Sequence, residues 1–395
     1  MRPMQRRERS RAFRRLIAFA SVAAVAGCGA AAAPAPASSH IQASGRHAAQ
    51  RHRPAAGTAR RGPLPKAASA RPVRVSHRQV PGTTVPGAPN CPMFPADNIW
   101  NTDISKLPVA AHSAAWLRSM NSGSTYLHPD FGRNAGSYPY GIPVTIVTSA
   151  HRLVRIHFQY AAETDRGPYP FGPDTRIEGG RTAGGDRHAL IVNSSACTLY
   201  ELWEARYSAA RPRAGSGAIW NLRSDALRPA GWTSADAAGL PILPGLMEFG
   251  QVQWAVRTGR PIRHAIRFTA ERTRSAYIWP ARHEAGSGGS LNLPPMGARF
   301  RLKATFNIAG FCRNSAPYCR DAKVVLAEME HYGLILADNG SNWFFQGTAF
   351  PQWPDGLVEL LKRIPARAFQ AVNTSCLMVS RNSGQARAHP GCPVG

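Results

Sequence analysis

The chain is poor in lysine and, near its start, in acidic residues. Five of its 48 basic residues are lysines, and residues 1–90 hold one acid, Glu8, against 16 Lys and Arg, so much of the net charge of +26 lies there. A flexible basic segment suits anionic lipid head groups or acidic wall polymers. The excess of arginine beside abundant Ala, Gly and Pro is equally typical of a GC-rich genome.

The apolar run over residues 16–26 is too short to span a bilayer as a helix. It follows seven arginines within residues 1–15, a pattern typical of a secretory signal. Val25-Ala26-Gly27-Cys28 resembles a bacterial lipoprotein cleavage box, so we predict a signal peptide over residues 1–27 and lipidation of Cys28. The alternative is an ordinary signal peptide and a secreted protein. Export argues against nucleic acid as a partner.

Residues 28–90 have almost no large apolar side chains. Such a segment cannot bury enough surface to offset the entropy of ordering, so we predict a disordered tether. Residues 91–395 contain no long linker and no internal repeat, which predicts one folded domain and a monomer.

Several well-marked motifs are absent. No glycine-rich phosphate loop, G-x-S-x-G elbow or His-Glu-x-x-His helix occurs, which removes the clearest nucleotide-binding, serine-hydrolase and zinc-protease interpretations. No Cys-x-x-Cys pair occurs either, so a zinc site is not expected. We predict no metal and no cofactor.

Seven cysteines become six once Cys28 is set aside for lipidation. An even number in an exported protein favours disulfides. Cys312 and Cys319 are close enough in sequence for a local bridge, and Cys376 could pair with Cys392. Cys91 and Cys197 are then left, although six cysteines allow about fifteen pairings.

Short strands with alternating polarity recur between turns. Residues 153–160, 262–269 and 299–304 each place apolar side chains on one face and basic or polar ones on the other. This pattern favours a mainly β fold, a β-sandwich or jelly-roll of antiparallel sheets with a few peripheral helices. The basic residues expected to face outward are Arg155, Arg263, Arg267, Arg299 and Arg301.

Helical spacing is limited to short segments. Residues 321–332 end at Gly333, a common helix terminator, and residues 113–120 and 354–363 predict two shorter helices. Thr233-x-x-Asp236 matches a capping box at a helix start, so Asp236 is interpreted as structural.

The densest mix of reactive side chains lies in residues 176–205. Two β-rich runs around residues 193–196 predict a hairpin, preceded by a glycine-rich loop. Glu178 in the loop and Asp186 at the strand entrance are candidates for the paired carboxylates of glycoside hydrolysis, although acids beside glycines are usually turn formers. The neighbouring candidates are His188 as general base and Arg187 as a substrate contact.

Two distant residues extend this candidate site. His264 shares a strand face with apolar residues, and Asp338 ends a strand at an Asn-Gly turn. A histidine on an apolar face is more often a hydrogen-bonded core residue. Either residue takes part in catalysis only if the fold brings it to the mouth of the hairpin.

Aromatic and basic residues in two further loops suggest sugar contacts, because flat rings stack on pyranoses. The candidates are Trp279, Arg282 and His283 in one loop and Trp343 in the other.

Five stretches carry a resemblance to known sequences: FPADNIWN (94–101), LHPDFG (127–132), GDRHALIV (185–192), LRPAGWTSADAAGLPILPGL (227–246) and LILADNGSNWFF (334–345). Together they resemble a family of uncharacterised secreted bacterial proteins over most of residues 91–372. The resemblance implies one domain and carries no activity with it.

These observations predict an exported, lipid-anchored protein that acts on a polysaccharide or cell-wall glycan, most simply as a glycoside hydrolase. One alternative is a polysaccharide lyase, with the outward arginines neutralising uronate carboxylates. The other is a surface lipoprotein that binds glycan without catalysis.

Overall fold

Sixteen strands and four helices are found in the part of the chain that the computed structural model describes, residues 84–135 and 138–387. The strands are β1 Thr84–Val85, β2 Ala88–Pro92, β3 His128–Asp130, β4 Gly132–Ala135, β5 Tyr138–Tyr140, β6 Val144–Val147, β7 His157–Phe158, β8 Ala189–Asn193, β9 Thr198–Trp203, β10 Arg213–Ala214, β11 Ser216–Asn221, β12 Ile266–Ala270, β13 Arg299–Leu302, β14 Leu334–Asn339, β15 Phe344–Gln346 and β16 Phe369–Val372. The helices are α1 Ser113–Ser119, α2 Phe249–Thr258, α3 Cys319–His331 and α4 Asp355–Leu361.

Two sheets dominate the fold. Six strands pair in the order β16-β13-β14-β12-β15-β3, and four pair in the order β11-β9-β8-β6. The predicted mainly β, sandwich-like domain with few helices is confirmed. Parallel pairs also occur, between β12 and β14, β15 and β3, and β6 and β8.

The four-stranded sheet is buried on both faces. Leu190 and Val192 of β8 belong to the main core, which also holds residues of the six-stranded sheet such as Phe268. Ala189 and Ile191 face a second core that contains Tyr169. Burial on both faces explains why β8 is an unbroken apolar run rather than an alternating one.

The alternating segments are shorter strands than their patterns predict. Only residues 157–158 of the segment 153–160 are in a strand, and the segment 262–269 begins its strand at Ile266. All residues of β12 and β13 are buried, so the expected polar outer face is wrong for both strands.

The three predicted helices are confirmed as α1, α3 and α4. Helix α3 is followed by Tyr332 and by Gly333, whose φ of 64° is the left-handed conformation that terminates helices. Helix α2 was not predicted; it ends at Gly259, which also has a positive φ of 67°. No helix in the described ranges is long and apolar enough to cross a membrane.

Disulfides join Cys312 to Cys319, as predicted, and Cys91 to Cys197, the pair that the two local pairings left over. Cys376 is also disulfide-bonded, while Cys392 lies outside the described residues. Disulfides indicate an oxidising, extracytoplasmic environment.

The predicted signal peptide, Cys28 and most of the predicted tether lie outside the described residues as well. The last residues of that tether are folded, because β1 and β2 bury Val85 and Ala88. The folded region therefore begins before Cys91.

Candidate active site

Five ionisable residues from separate parts of the chain surround one buried arginine, Arg267. Asp338 lies near the end of β14, Arg267 lies in the neighbouring β12, and Glu178, Asp186 and His188 come from the segment just before β8. The charges of Asp186 and Arg267 both influence the pKa of His188, and Glu178 influences that of Arg267. We call this set the Arg267 cluster: Glu178, Asp186, His188, Asp236, Arg267 and Asp338.

Arg267 is the buried centre of the cluster. Its Nε and Nη2 donate to the two carboxylate oxygens of Asp236 at 3.0 and 2.7 Å, and both side chains are almost completely buried. The same Nη2 lies 3.6 Å from Oδ2 of Asp338. One guanidinium therefore faces two carboxyl groups, one paired with it in bidentate fashion and one farther away.

The surroundings of Asp338 favour its protonated form. Burial raises its pKa well above the usual value, and the negative charges of Asp236 and Asp186 raise it further, whereas Arg267 lowers it. Asp338 also shares a side-chain hydrogen bond with Asp236, which it can donate only in the protonated form. Because its side chain is 23 % exposed, this protonated acid can be reached from solvent.

Glu178 and His188 form a charged pair on another side of the cluster, and His188 interacts with both Asp186 and Arg267. Oε2 of Glu178 lies 2.7 Å from Nδ1 of His188 and also accepts the backbone N–H of His188 at 3.2 Å. Burial lowers the pKa of His188, but Glu178 and then Asp186 outweigh it and raise the pKa to about 9. The imidazole is therefore positively charged at neutral pH, and the Glu178 side chain is 31 % exposed.

Asp186 is the most exposed carboxylate of the cluster. Its Oδ1 accepts a hydrogen bond from Nε1 of Trp203 at 3.2 Å. The cluster thus presents three carboxyl groups to solvent, those of Glu178, Asp186 and Asp338. The groups behind them, His188, Asp236 and Arg267, are buried.

One carboxyl group outside the cluster, that of Asp130, interacts with Glu178. Asp130, at the end of β3, accepts hydrogen bonds from the hydroxyl of Tyr140 and from Nε2 of Gln346. Burial raises the pKa of Asp130, and the charge of Glu178 raises it further. We call Asp130, Tyr140 and Gln346 the Asp130 group. It borders the Arg267 cluster on the side of the six-stranded sheet.

Arg187 builds the loop that carries Glu178, which differs from the predicted substrate contact. It is 2 % exposed, and its guanidinium donates to the carbonyl oxygens of Gly180, Arg181, Ala183 and Ala205. With all these donors used, Arg187 holds the glycine-rich loop in place.

Asp236 and three of the five arginines that were expected to face outward also differ from prediction. No helix begins at Thr233, so the capping box is wrong and Asp236 is instead the buried partner of Arg267. Arg267, Arg299 and Arg301 are buried rather than outward. Arg299 and Arg301 donate to backbone carbonyls such as those of Ile99 and Ile104, whereas Arg155 and Arg263 are exposed.

His264 does not join the cluster. It precedes β12, and the register of β12 with β14 places Asp338 opposite Thr269, five residues farther along, which is about 16 Å at ~3.3 Å per residue. His264 is buried with Nε2 2.8 Å from Oε1 of Gln251. Burial lowers its pKa to about 4, so it is a neutral core residue.

The predicted sugar-contacting residues are dispersed. Trp279 borders a separate cavity of about 620 Å³, where its Nε1 donates to the Ser383 carbonyl. Arg282 is buried and its donors are bonded to Arg228, Arg381 and Asn382.

His283 and Trp343, the other two predicted sugar contacts, do not line this cavity. His283 donates to the carbonyl of Ala237, next to Asp236 in the chain. Trp343 is completely buried and donates to the carbonyl of Met120, which excludes the predicted stacking on a sugar.

No group of three or more His, Cys, Asp or Glu in the described ranges is arranged to hold a metal ion.

Sequence reasoning missed Asp130, Tyr140, Asp236, Arg267 and Gln346. Arg267 alternates with Ile266 and Phe268 in the way an outward residue does. Asp236 matches the pattern of a helix cap, and Asp130 lies in the stretch LHPDFG (127–132), where no local pattern indicates a functional role.

Comparison with known proteins finds no matching family model, no similar curated protein and no matching solved structure. The resemblance carried by the five stretches named above stays a prediction. The proposed function therefore rests on the Arg267 cluster.

Proposed function

We propose that this domain acts outside the cytoplasm as a glycoside hydrolase on a polysaccharide, with Asp338 as its general acid. The observation that carries the proposal is the raised pKa of Asp338, whose side chain is partly open to solvent, in a cluster where Glu178 and Asp186 also reach solvent. Glycoside hydrolysis requires one carboxyl group that keeps its proton and one that is ionised.

The roles follow from the environments of the two groups. Asp338 donates its proton to the glycosidic oxygen as the bond from that oxygen to the anomeric carbon breaks. Glu178 either removes a proton from the attacking water or itself attacks the anomeric carbon; in the second case water, deprotonated by the Asp338 carboxylate, then cleaves the bond between Glu178 and the sugar. Arg267 faces the carboxylate that forms on Asp338, and a proton from water restores the acid.

His188 and Asp186 support these steps. The positive charge of His188, 2.7 Å from Glu178, orients that carboxylate. Asp186 opposes the ionisation of Asp338 and so helps it to retain its proton. These assignments shift the acid role from the predicted pair of Glu178 and Asp186 to Asp338.

A lyase is the weaker interpretation. It relied on outward rows of arginine to neutralise uronate groups, and three of those five arginines are buried. A lyase also needs a base to remove a proton from the sugar, and a histidine can do so only when neutral, whereas the pKa of His188 is raised to about 9.

The two disulfides support an extracytoplasmic location. Anchoring through a lipid on Cys28, with the domain held close to the cell-wall glycan, is part of the proposal.

The test is a polysaccharide panel assayed for new reducing ends with the wild type, Asp338→Asn and the control Glu359→Gln, which changes an exposed carboxylate on α4. We expect product from at least one polymer and a loss of about 10²- to 10⁴-fold in Asp338→Asn, the usual contribution of a general acid. The control should keep full activity.

A second substrate separates loss of the acid from loss of the fold. An aryl glycoside with an acidic leaving group needs little protonation, so Asp338→Asn should retain much more activity on it. Binding without any product would favour a glycan-binding module, and ultraviolet-absorbing unsaturated ends would show a lyase. Either result overturns the hydrolase proposal.

A further inference from the structure

A cavity of about 610 Å³ lies beside Glu178. Its wall includes Ile177 and Gly179, the two neighbours of Glu178 in the chain, and Tyr138 and Pro139, which precede Tyr140. The cavity therefore adjoins both the Arg267 cluster and the Asp130 group that borders it. Its volume falls within the range of small-molecule sites.

Two aromatic side chains in this wall are open to solvent. Tyr138 is 45 % exposed and Phe350 is 39 % exposed. Gly180, with a φ of 91°, lets the Tyr138 ring lie directly on the backbone, since a Cβ there would come within 2.3 Å of the ring. An exposed aromatic ring held against backbone offers a fixed apolar face to a sugar ring.

Two arginines complete the wall. Arg176 and Arg181 are exposed, and neither guanidinium has a hydrogen-bond partner among the described residues; that of Arg181 lies 5.9 Å from the centre of the Tyr207 ring, and its charge acts on Asp174. The one acid in the wall, Asp174, already accepts from His151 at 3.1 Å. The cavity thus has a net positive character with unused donors.

The segment that carries these arginines is fixed in position. Arg187 donates to the carbonyls of Gly180 and Arg181, and the backbone N–H of Arg176 donates to Oγ1 of Thr145 at 2.9 Å. The backbone that carries both arginines is therefore fixed before a ligand arrives, which lowers part of the entropy cost of binding.

We propose that this cavity binds a carboxylate-bearing sugar of the glycan, with Arg176 and Arg181 on the carboxylate and Tyr138 and Phe350 against the ring. Arginine is the side chain best matched to a carboxylate, because its planar fork can donate two parallel hydrogen bonds. This inference rests on the proposed function and specifies the substrate class as an acidic glycan.

The test measures affinity by calorimetry in the Asp338→Asn protein, so that bound oligosaccharides are not cleaved. The probes are uronate-containing oligosaccharides, each paired with its carboxyl-reduced neutral form. We expect the charged form of at least one pair to bind more than about tenfold more tightly, a preference that weakens with salt. Arg176→Gln with Arg181→Gln should abolish the preference.

The matched control is Arg257→Gln with Arg260→Gln, which removes the same charge from exposed positions at the end of α2. The control should keep the preference, and both double variants should keep the wild-type melting temperature. Equal binding of charged and neutral forms, no binding to either, or an unchanged preference in the Arg176 and Arg181 variant would overturn the inference.

These outcomes are distinct from those of the hydrolase test. Hydrolysis that depends on Asp338 without preference for uronate would leave the enzyme and remove the acidic subsite. Uronate binding that depends on the two arginines, with no polymer cleaved, would leave the subsite and remove the enzyme.

Discussion

His188 and His264 occupy nearly equivalent positions in the two sheets. Each lies just before a strand and is 4 % exposed. Each also has a glutamate oxygen near its Nδ1, Glu178 at 2.7 Å and Glu328 at 3.5 Å. Their pKa values nevertheless move in opposite directions, to about 9 for His188 and about 4 for His264.

The difference comes from the glutamates. Burial lowers the pKa of both histidines, and only at His188 does a carboxylate outweigh it. Glu178 reaches solvent and hydrogen-bonds its histidine, whereas Glu328 is fully buried, neither of its oxygens has a hydrogen-bond partner, and burial raises its pKa. A glutamate that stays protonated gives its neighbour no charge to pair with.

His188 therefore belongs to a charged cluster that reaches solvent, whereas His264 belongs to a neutral, buried one. Acid and base chemistry needs groups that exchange protons with substrate or water, which the His188 side offers. The His264 side, where Nδ1 lies 3.0 Å from the carbonyl of Ala265, is part of the core.

The largest expected effect comes from removing the buried centre of the charged side. Arg267→Gln leaves Asp236 without its bidentate partner and should lower the free energy of unfolding by about 3–5 kcal/mol. Arg263→Gln, an exposed change four residues earlier, is the control and should cost less than about 0.5 kcal/mol. Denaturant unfolding of both variants checks this, and similar losses would refute a central role for Arg267.

The pH dependence of stability should have opposite signs at the two histidines. The raised pKa of His188 means that its contribution is complete below pH 6.5 and is lost as pH rises to about 9. The lowered pKa of His264 means that its contribution is present above 6.5 and is lost as pH falls to about 4. Each amounts to about 3 kcal/mol.

Urea unfolding across this range, with wild type, His188→Gln and His264→Gln, isolates the two contributions as differences. The wild-type advantage over His188→Gln should shrink toward high pH, and that over His264→Gln toward low pH. If both differences in the free energy of unfolding changed in the same direction with pH, the environments of the two histidines would be alike.

A smaller contrast is expected between the two glutamates. Glu178→Gln leaves a buried imidazole without its counter-charge and should cost about 2 kcal/mol, whereas Glu328→Gln replaces one neutral group by another and should cost less than about 1 kcal/mol. Thermal or denaturant unfolding at neutral pH measures both. The reverse ranking would mean that Glu328 is the charged partner.

The smallest effect concerns Asp186, which acts from the surface. Asp186→Asn removes a negative charge that raises the pKa of both His188 and Asp338, so both values should fall by a fraction of a unit. Titration of the His188 ring by nuclear magnetic resonance detects the change, with Asp355→Asn on α4 as a distant exposed control. A rise in either pKa would contradict the assigned geometry.

Local pattern predicted much of the fold. The hairpin of β8 and β9, three of the four helices and both described disulfides follow from apolar spacing, turn residues and cysteine positions. These features depend on neighbours in the sequence or on a small number of possible partners. Helix α2 was harder, because Gly250 weakens its start.

The candidate site was only half predictable. Glu178, Asp186 and His188 lie within one short stretch and were found together. Asp236 and Arg267 pair only through tertiary contact, and an arginine between two apolar strand residues has the same pattern whether it faces solvent or a buried acid. Asp338 and His264 had equal claims until the strand register placed them about 16 Å apart along the strands.

The proposed mechanism depends above all on the protonation of Asp338. The chemical shift of the Asp338 side-chain carboxyl carbon reports that protonation directly. In a carbon-13 titration of the intact domain, with Asp338→Asn to assign the resonance, Asp338 should remain protonated well above the pH at which exposed aspartates usually ionise. If Asp338 instead titrates with the exposed aspartates, it has no proton to donate at neutral pH, and the proposed acid and the hydrolase mechanism are both wrong.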